Sequence, residues 1–117
     1  MKSKNLGIVP RRGEVWWVSL DPALGSEIAK TRPCVVLSRD IINQIRRTVV
    51  VVPLSSSPSA HPPIHIAVQC GGKPAVAVVD QVRAISKLRF KRKIGSLSGD
   101  EMDEIAGALR QVSDLLP

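Results

Sequence analysis

Apolar positions in this chain fall into short runs with two different rhythms. Glu14-Val15-Trp16-Trp17-Val18-Ser19-Leu20 is rich in β-branched and aromatic residues, follows Arg11-Arg12-Gly13 and is stopped by Asp21-Pro22, so it predicts a first strand. Its adjacent tryptophans must face opposite sides of a sheet, one filling the core and the other needing a second surface. Residues 33–38 predict a second strand and residues 47–54 a third. Val35-Val36-Leu37 and Val49-Val50-Val51-Val52 are apolar on both alternating faces, a pattern that needs cover on both sides. One side is the core, and the other must be closed by a helix, by barrel curvature or by a second copy of the chain. Between these strands, residues 40–46 predict a short helix or wide turn started by Asp40. Residues 64–70 alternate as a fourth strand, Gly71-Gly72 makes a hairpin turn, and residues 75–79 form a fifth strand that Asp80-Gln81-Val82-Arg83 is expected to continue.

The second rhythm is helical. Ser98 followed by Glu101 makes a capping box, and acids in the first turn suit the positive end of a helix dipole. Met102, Ile105, Ala106, Leu109, Val112 and Leu116 then form one apolar stripe that docks on the strands. Residues 55–63 hold four serines, three prolines and a histidine and predict a loop. No repeat or linker divides the 117 residues, which predict a single domain spanning 1–117 with residues 1–10 as a flexible lead.

Charge adds the next constraint. From Ser98 onward there are five acids and one base, so residues 1–97 carry 16 of the 17 Lys and Arg against 5 of the 10 Asp and Glu, a net of +11. A basic body of this kind favours a polyanion, either nucleic acid or an acidic protein segment. Lys87-Leu88-Arg89-Phe90-Lys91-Arg92-Lys93 is its densest run and reads either as a solvated surface segment or as a phosphate-steering patch. Aromatics are limited to Trp16, Trp17 and Phe90, too few to stack successive bases, so contacts to RNA should come from arginine, lysine, hydroxyls and backbone. Cys34 and Cys70 sit in apolar segments without metal-ligand spacing, as in a cytosolic protein, though a bridge between them stays open. No signal peptide or membrane-spanning run is legible, which points to a cytoplasmic protein.

Candidate chemistry gathers where the long loop meets the second strand. Gly25-Ser26-Glu27 and Lys30 precede Arg32-Pro33, and Pro33 biases Arg32 toward an extended conformation that aims its guanidinium from the strand mouth. A guanidinium stays charged and presents a planar fork suited to phosphate; an ordinary surface arginine is the alternative. Ser55 stands at the end of the neighbouring valine strand, where a hydroxyl could meet it, although a strand-end serine is commonly only a turn residue. There is no glycine-rich phosphate loop, no HExxH and no acidic cluster for magnesium, and His61 and His65 lack the companions of a zinc site. No metal or cofactor is expected. One reaction needs neither: the 2′-hydroxyl of RNA attacks the adjacent phosphate, leaving a 2′,3′-cyclic phosphate and a free 5′-hydroxyl.

The blocks Arg12-Gly13-Glu14-Val15-Trp16, Asp21-Pro22, Gly25-Ser26-Glu27, Arg32-Pro33, Val52-Pro53-Leu54-Ser55-Ser56 and Asp80-Gln81-Val82-Arg83-Ala84-Ile85, in this order and spacing, resemble the MazF/PemK family of toxin endoribonucleases. The resemblance implies a mainly β, SH3-like small barrel of about five to seven strands with a C-terminal α-helix. It also implies a homodimer, metal-independent cleavage of single-stranded RNA or mRNA that stops growth, and neutralisation by an antitoxin with an acidic flexible segment. Carried onto this sequence, the catalytic arginine falls on Arg32 and the catalytic hydroxyl on Ser55. Gly25, Ser26, Glu27, Lys30, Ser56, Asp80 and Gln81 are the expected substrate-binding residues. Glu27, His61 and Asp80 stay open as the proton-handling group, and Val78 stands where some relatives carry a further arginine. CcdB-like toxins, which bind DNA gyrase without catalysis, resemble the same fold and are the alternative, as is an inactive RNA-binding module.

Overall fold

A computed structural model describes residues 7–22, 24–56, 60–62 and 64–113. Residues 1–6 of the lead expected over 1–10, the loop residues 57–59 and 63, and the stripe residue Leu116 lie outside the described residues. Seven strands, β1 (Glu14–Ser19), β2 (Thr31–Val36), β3 (Thr48–Ser55), β4 (His65–Cys70), β5 (Lys73–Val78), β6 (Arg83–Ser86) and β7 (Phe90–Ser96), are joined by a short helix α1 (Asp40–Ile45) and followed by α2 (Gly99–Ser113). They form one curled antiparallel sheet in the order β4-β5-β3-β2-β1-β7, with β6 also on β3. This is a mainly β, curled half-barrel with a terminal helix, as the family resemblance implies.

The longest strand, β3, is the hub. One edge pairs with β2 over Val51 to Pro53, while the other is shared: Thr48 to Val51 face β6, and Leu54 and Ser55 face β5. Between β5 and β6 the chain makes a single 3-10 turn, Val79–Gln81, so residues 80–83 do not prolong the fifth strand as expected. Sharing one edge requires a break here, since a continuous strand would run past the handover.

The doubly apolar runs resolve into two buried clusters. Val15, Val35, Val52, Leu54 and Val79 face α2, whose Met102, Ile105 and Ala108 are buried against them. Alternating with them, Val18, Cys34, Val36, Val49 and Val51 pack on the opposite face with Ile85 and Phe90, where β6 and β7 curl over. Helix cover and barrel curvature therefore each close one side. Within α2 the buried line runs through Ala108, with Ala106, Leu109 and Val112 half-buried at its flanks. The capping box is complete: Glu101 N–H donates to Ser98 Oγ at 3.1 Å and Ser98 N–H to Glu101 Oε1 at 2.8 Å. Glu101 Oε2 also accepts the Gln69 N–H at 2.7 Å, tying the helix to β4. Burial raises this carboxyl, but the N–H groups of Ser98 and Gln69 and the Ser98 hydroxyl outweigh it, and its pKa is lowered.

Two local expectations are corrected. Asp40 does not cap α1; Arg39 occupies that place in an extended conformation, and Asp40 is helical, its carboxylate accepting the Arg12 N–H at 2.8 Å. The basic run 87–93 is not wholly a solvated segment: Lys87 and Phe90 are buried, and Phe90 begins β7, the partner of β1, because Phe90 and Ile94 supply apolar anchors among the cations. The hairpin at Gly71-Gly72 forms with both glycines at positive φ, and Cys70 pairs with Lys73 across it.

Candidate active site

Strand register builds the site. Cys34 pairs with Pro53 and Val35 with Val52, and continuing this register two residues further sets Arg32 against Ser55. Both line the same hollows, on either side of Leu54. Arg32 is exposed, and its guanidinium makes one long contact, Nε to the Ala29 carbonyl at 3.4 Å. The hydrophobic demand that aligns the two valine strands thus delivers a cation and a hydroxyl to one place.

Three hollows that share lining residues flank this pair, together termed the groove. The first, about 380 Å³, is lined by Ser26, Glu27, Asp80, Gln81 and Arg83. The second, about 310 Å³, lies between Ser26, Glu27, Ile28, Ala29, Arg32 and Ser55. The third, about 620 Å³, continues from Arg32, Ser55 and Ser56 to Trp17, Lys73 and Arg92. Ser26, Glu27, Arg32, Ser55, Ser56, Asp80 and Gln81 are therefore brought together, although residues from 26 to 81 are far apart in sequence.

Several of these side chains are already engaged. Gln81 reaches back to the long loop, its Oε1 accepting the Ile28 N–H at 2.8 Å and its Nε2 donating to the Ser26 carbonyl at 3.4 Å. Glu27 Oε1 accepts the Leu24 N–H at 2.7 Å, which closes the loop tip on itself. Lys30 and Gly25 line none of the three hollows. Each instead sets the loop backbone, with φ of 68° at Lys30 and 58° at Gly25. Lys30 holds that unusual conformation because Asp21 Oδ1 accepts its N–H at 2.8 Å and its carbonyl accepts the Leu20 N–H at 2.8 Å. His61 stands apart from the groove, its ring 5.6 Å from that of His65 at the start of β4, so the structure does not bring it to Arg32. Among the described residues, no three His, Cys, Asp or Glu side chains converge as metal ligands.

The groove also has residues that were not among the expected substrate-binding set. Trp16 and Trp17 divide as alternation requires: Trp16 meets Phe90 edge to face at 5.8 Å and donates its indole N–H to Glu14 at 3.0 Å, whereas Trp17 lines the third hollow. Arg92 is the cross-strand neighbour of Trp17, and reading residues 90–96 as a strand would have placed it there. Lys93, next along β7, pairs with Glu14 at 3.1 Å. Both cysteines are free. Burial pushes the Cys34 thiol up to about 12, and burial with the nearby Glu101 charge raises Cys70, so neither is a thiolate nucleophile.

A sequence profile described as "PemK-like, MazF-like toxin of type II toxin-antitoxin system" matches residues 11–113. The chain belongs to this toxin family. It is 35% identical over 114 residues to the Endoribonuclease MazF9 of Mycobacterium tuberculosis, covering 90% of this chain and 97% of that protein. Its fold superposes on the crystal structure of MazF from Deinococcus radiodurans with a TM-score of 0.84, at 23% identity, covering 92% of this chain and 99% of that one. A mycobacterial endoribonuclease in complex with its cognate antitoxin gives 0.76 at 21% identity, covering 92% and 98%. Within this family frame, the pair Arg32 and Ser55 and the groove around it are the parts that need a chemical account.

Proposed function

We propose that this toxin is a metal-independent endoribonuclease that cuts single-stranded RNA, including mRNA, at the phosphate held between Arg32 and Ser55. The observation that supports this reading is that Arg32 and Ser55, a cation and a hydroxyl on neighbouring strands, line the same hollow. The substrate's own 2′-oxygen attacks phosphorus, the bond to the 5′-oxygen breaks, and a 2′,3′-cyclic phosphate and a 5′-hydroxyl result. Charge accumulates on the non-bridging oxygens, where the Arg32 fork and the Ser55 hydroxyl donate hydrogen bonds; such donors are worth about a hundred- to thousandfold each in rate. A guanidinium offers donors and no acceptor, so taking the 2′-hydroxyl proton falls to a neighbouring carboxylate. Of the open candidates, Glu27 shares the hollow with both and Asp80 lines the next one.

The remaining groove residues bind RNA: Ser26, Glu27 and Ser56 directly, Asp80 by accepting from base amino groups, and Gly25, Lys30 and Gln81 by shaping the loop. The same basic groove receives the acidic segment of an antitoxin, which neutralises the toxin by occupancy. The protein acts as a homodimer in the cytoplasm, and among the described residues no helix is long and apolar enough to cross a membrane. The test is RNA cleavage in EDTA by wild type, Arg32→Ala and Ser55→Ala, with end-group analysis. Cyclic-phosphate ends from wild type and a loss of about a hundredfold or more in each variant are expected. Full activity of Arg32→Ala would remove it from the mechanism, and intact RNA with wild type would refute the nuclease reading.

A further inference from the structure

The two ends of the groove are chemically unlike. On one side of the Arg32–Ser55 pair the lining includes Glu27 and Asp80; on the other, about 620 Å³ is lined by no acid among the described residues. The lining of this second end combines the apolar side chains of Trp17, Pro33 and Ile94 with three cations, Arg32, Lys73 and Arg92. In the strand register Trp17 lies between Pro33 on β2 and Arg92 on β7, and all three line this hollow. It shares a face with Val15, yet it lies outside the cluster that α2 covers. An aromatic side chain sharing a hollow with cations and hydroxyls has the chemistry of a single-stranded nucleotide subsite: the base stacks, and the phosphates meet the cations.

We infer that Trp17 is the platform for the base of a nucleotide flanking the scissile phosphate, with Lys73 and Arg92 binding that nucleotide's phosphates. This rests on reading Arg32 and Ser55 as the cleavage pair, and it assigns one stacked base to one aromatic, in a protein too poor in aromatics for a stacking ladder. The hollow's size lies within the usual range of small-molecule sites, and it shares Arg32, Leu54 and Ser55 with the neighbouring hollow.

Trp17 supplies its own readout. A Trp16→Phe variant leaves it the sole indole, because Trp16 packs on Phe90 away from the groove. Random-sequence single-stranded DNA, which offers bases and phosphates but no 2′-hydroxyl, should quench Trp17 emission without being cut. Inorganic polyphosphate should bind the cations without that quenching. In filter binding of the same DNA, Trp17→Ala should weaken affinity about five- to hundredfold, Trp17→Phe should largely restore it, and Arg92→Gln should weaken it and flatten its salt dependence. Equal quenching by polyphosphate would overturn the stacking assignment. So would emission that follows protein concentration alone, marking a second copy in the groove, or quenching by a glutamate-rich peptide and not by DNA. RNA cleavage with Trp17 unquenched would defeat the subsite and leave the nuclease; quenched Trp17 with RNA intact would do the reverse.

Discussion

Gln81 offers the most discriminating perturbation, because the sequence marks it for substrate while the structure spends it on the long loop. Gln81→Met keeps length and volume but removes both hydrogen bonds to that loop. The bond from the Ile28 N–H, at 2.8 Å and partly buried, contributes about 1 kcal/mol, while the contact with the Ser26 carbonyl at 3.4 Å adds little. The loop keeps its other ties, Lys30 to Asp21 and Leu24 to Glu27, so the loss stays local to residues 26–28. About 1 kcal/mol raises the open population roughly fivefold. Native-state hydrogen exchange should therefore show the Ile28 amide exchanging about fivefold faster, with kcat/KM for RNA falling by a similar factor and the amides of β3 unchanged. Unchanged exchange at Ile28 would refute the tether. Unchanged exchange together with lost cleavage would mean that Gln81 acts on the RNA itself.

Three further outcomes follow from the packing and the caps. Ile105→Ala, at a fully buried position facing the sheet, should lower stability by about 2–5 kcal/mol in denaturant unfolding, and a loss under 1 kcal/mol would mean that α2 is misplaced. Glu101 has a lowered pKa in the folded state, so its carboxylate stabilises above the unfolded value of ~4.3 and that contribution fades as pH falls through the lower folded value. The stability gap between wild type and Glu101→Gln should accordingly be full near neutrality and close in acid, and a gap that widens in acid would reverse the assignment. At Lys30, whose φ is 68°, Lys30→Gly should match or exceed wild type in melting temperature, whereas Lys30→Val should cost about 1–2 kcal/mol; the opposite ranking would show that the backbone there is relaxed.

What the sequence made legible was what repeats locally. Valine runs apolar on both faces announced strands buried twice over, Ser98 and Glu101 announced the helix start, and Gly71-Gly72 announced the hairpin. The Arg32 and Ser55 juxtaposition was accessible for the same reason, because each is tied to the end of a strand whose register hydrophobic burial dictates. The tether from Gln81 to Ile28 was not, since nothing local in a glutamine announces a bond across 53 positions. Which tryptophan faces the groove depends on which side of β1 the helix covers, a tertiary fact that alternation alone leaves undecided. The basic run hid β7 because charge density masked the spacing of Phe90 and Ile94, and Asp40 looked like a cap because short acids favour that role, while here the Arg12 N–H claims its carboxylate.

The continuity of the β2–β3 ladder has a consequence for control. Arg32 and Ser55 lie on neighbouring strands, each two residues beyond the paired Cys34 and Pro53, so the sheet that sets that pairing also sets where they meet. The pair is assembled once the chain folds, with no separate activating rearrangement to withhold. An inhibitor that worked by warping this geometry would have to work against the cohesion of the whole domain, whereas one that lies over the groove leaves the sheet intact. Restraint of such a protein is therefore a matter of stoichiometry: each groove must be covered by something present in sufficient amount, and removing the cover restores a site that was never dismantled.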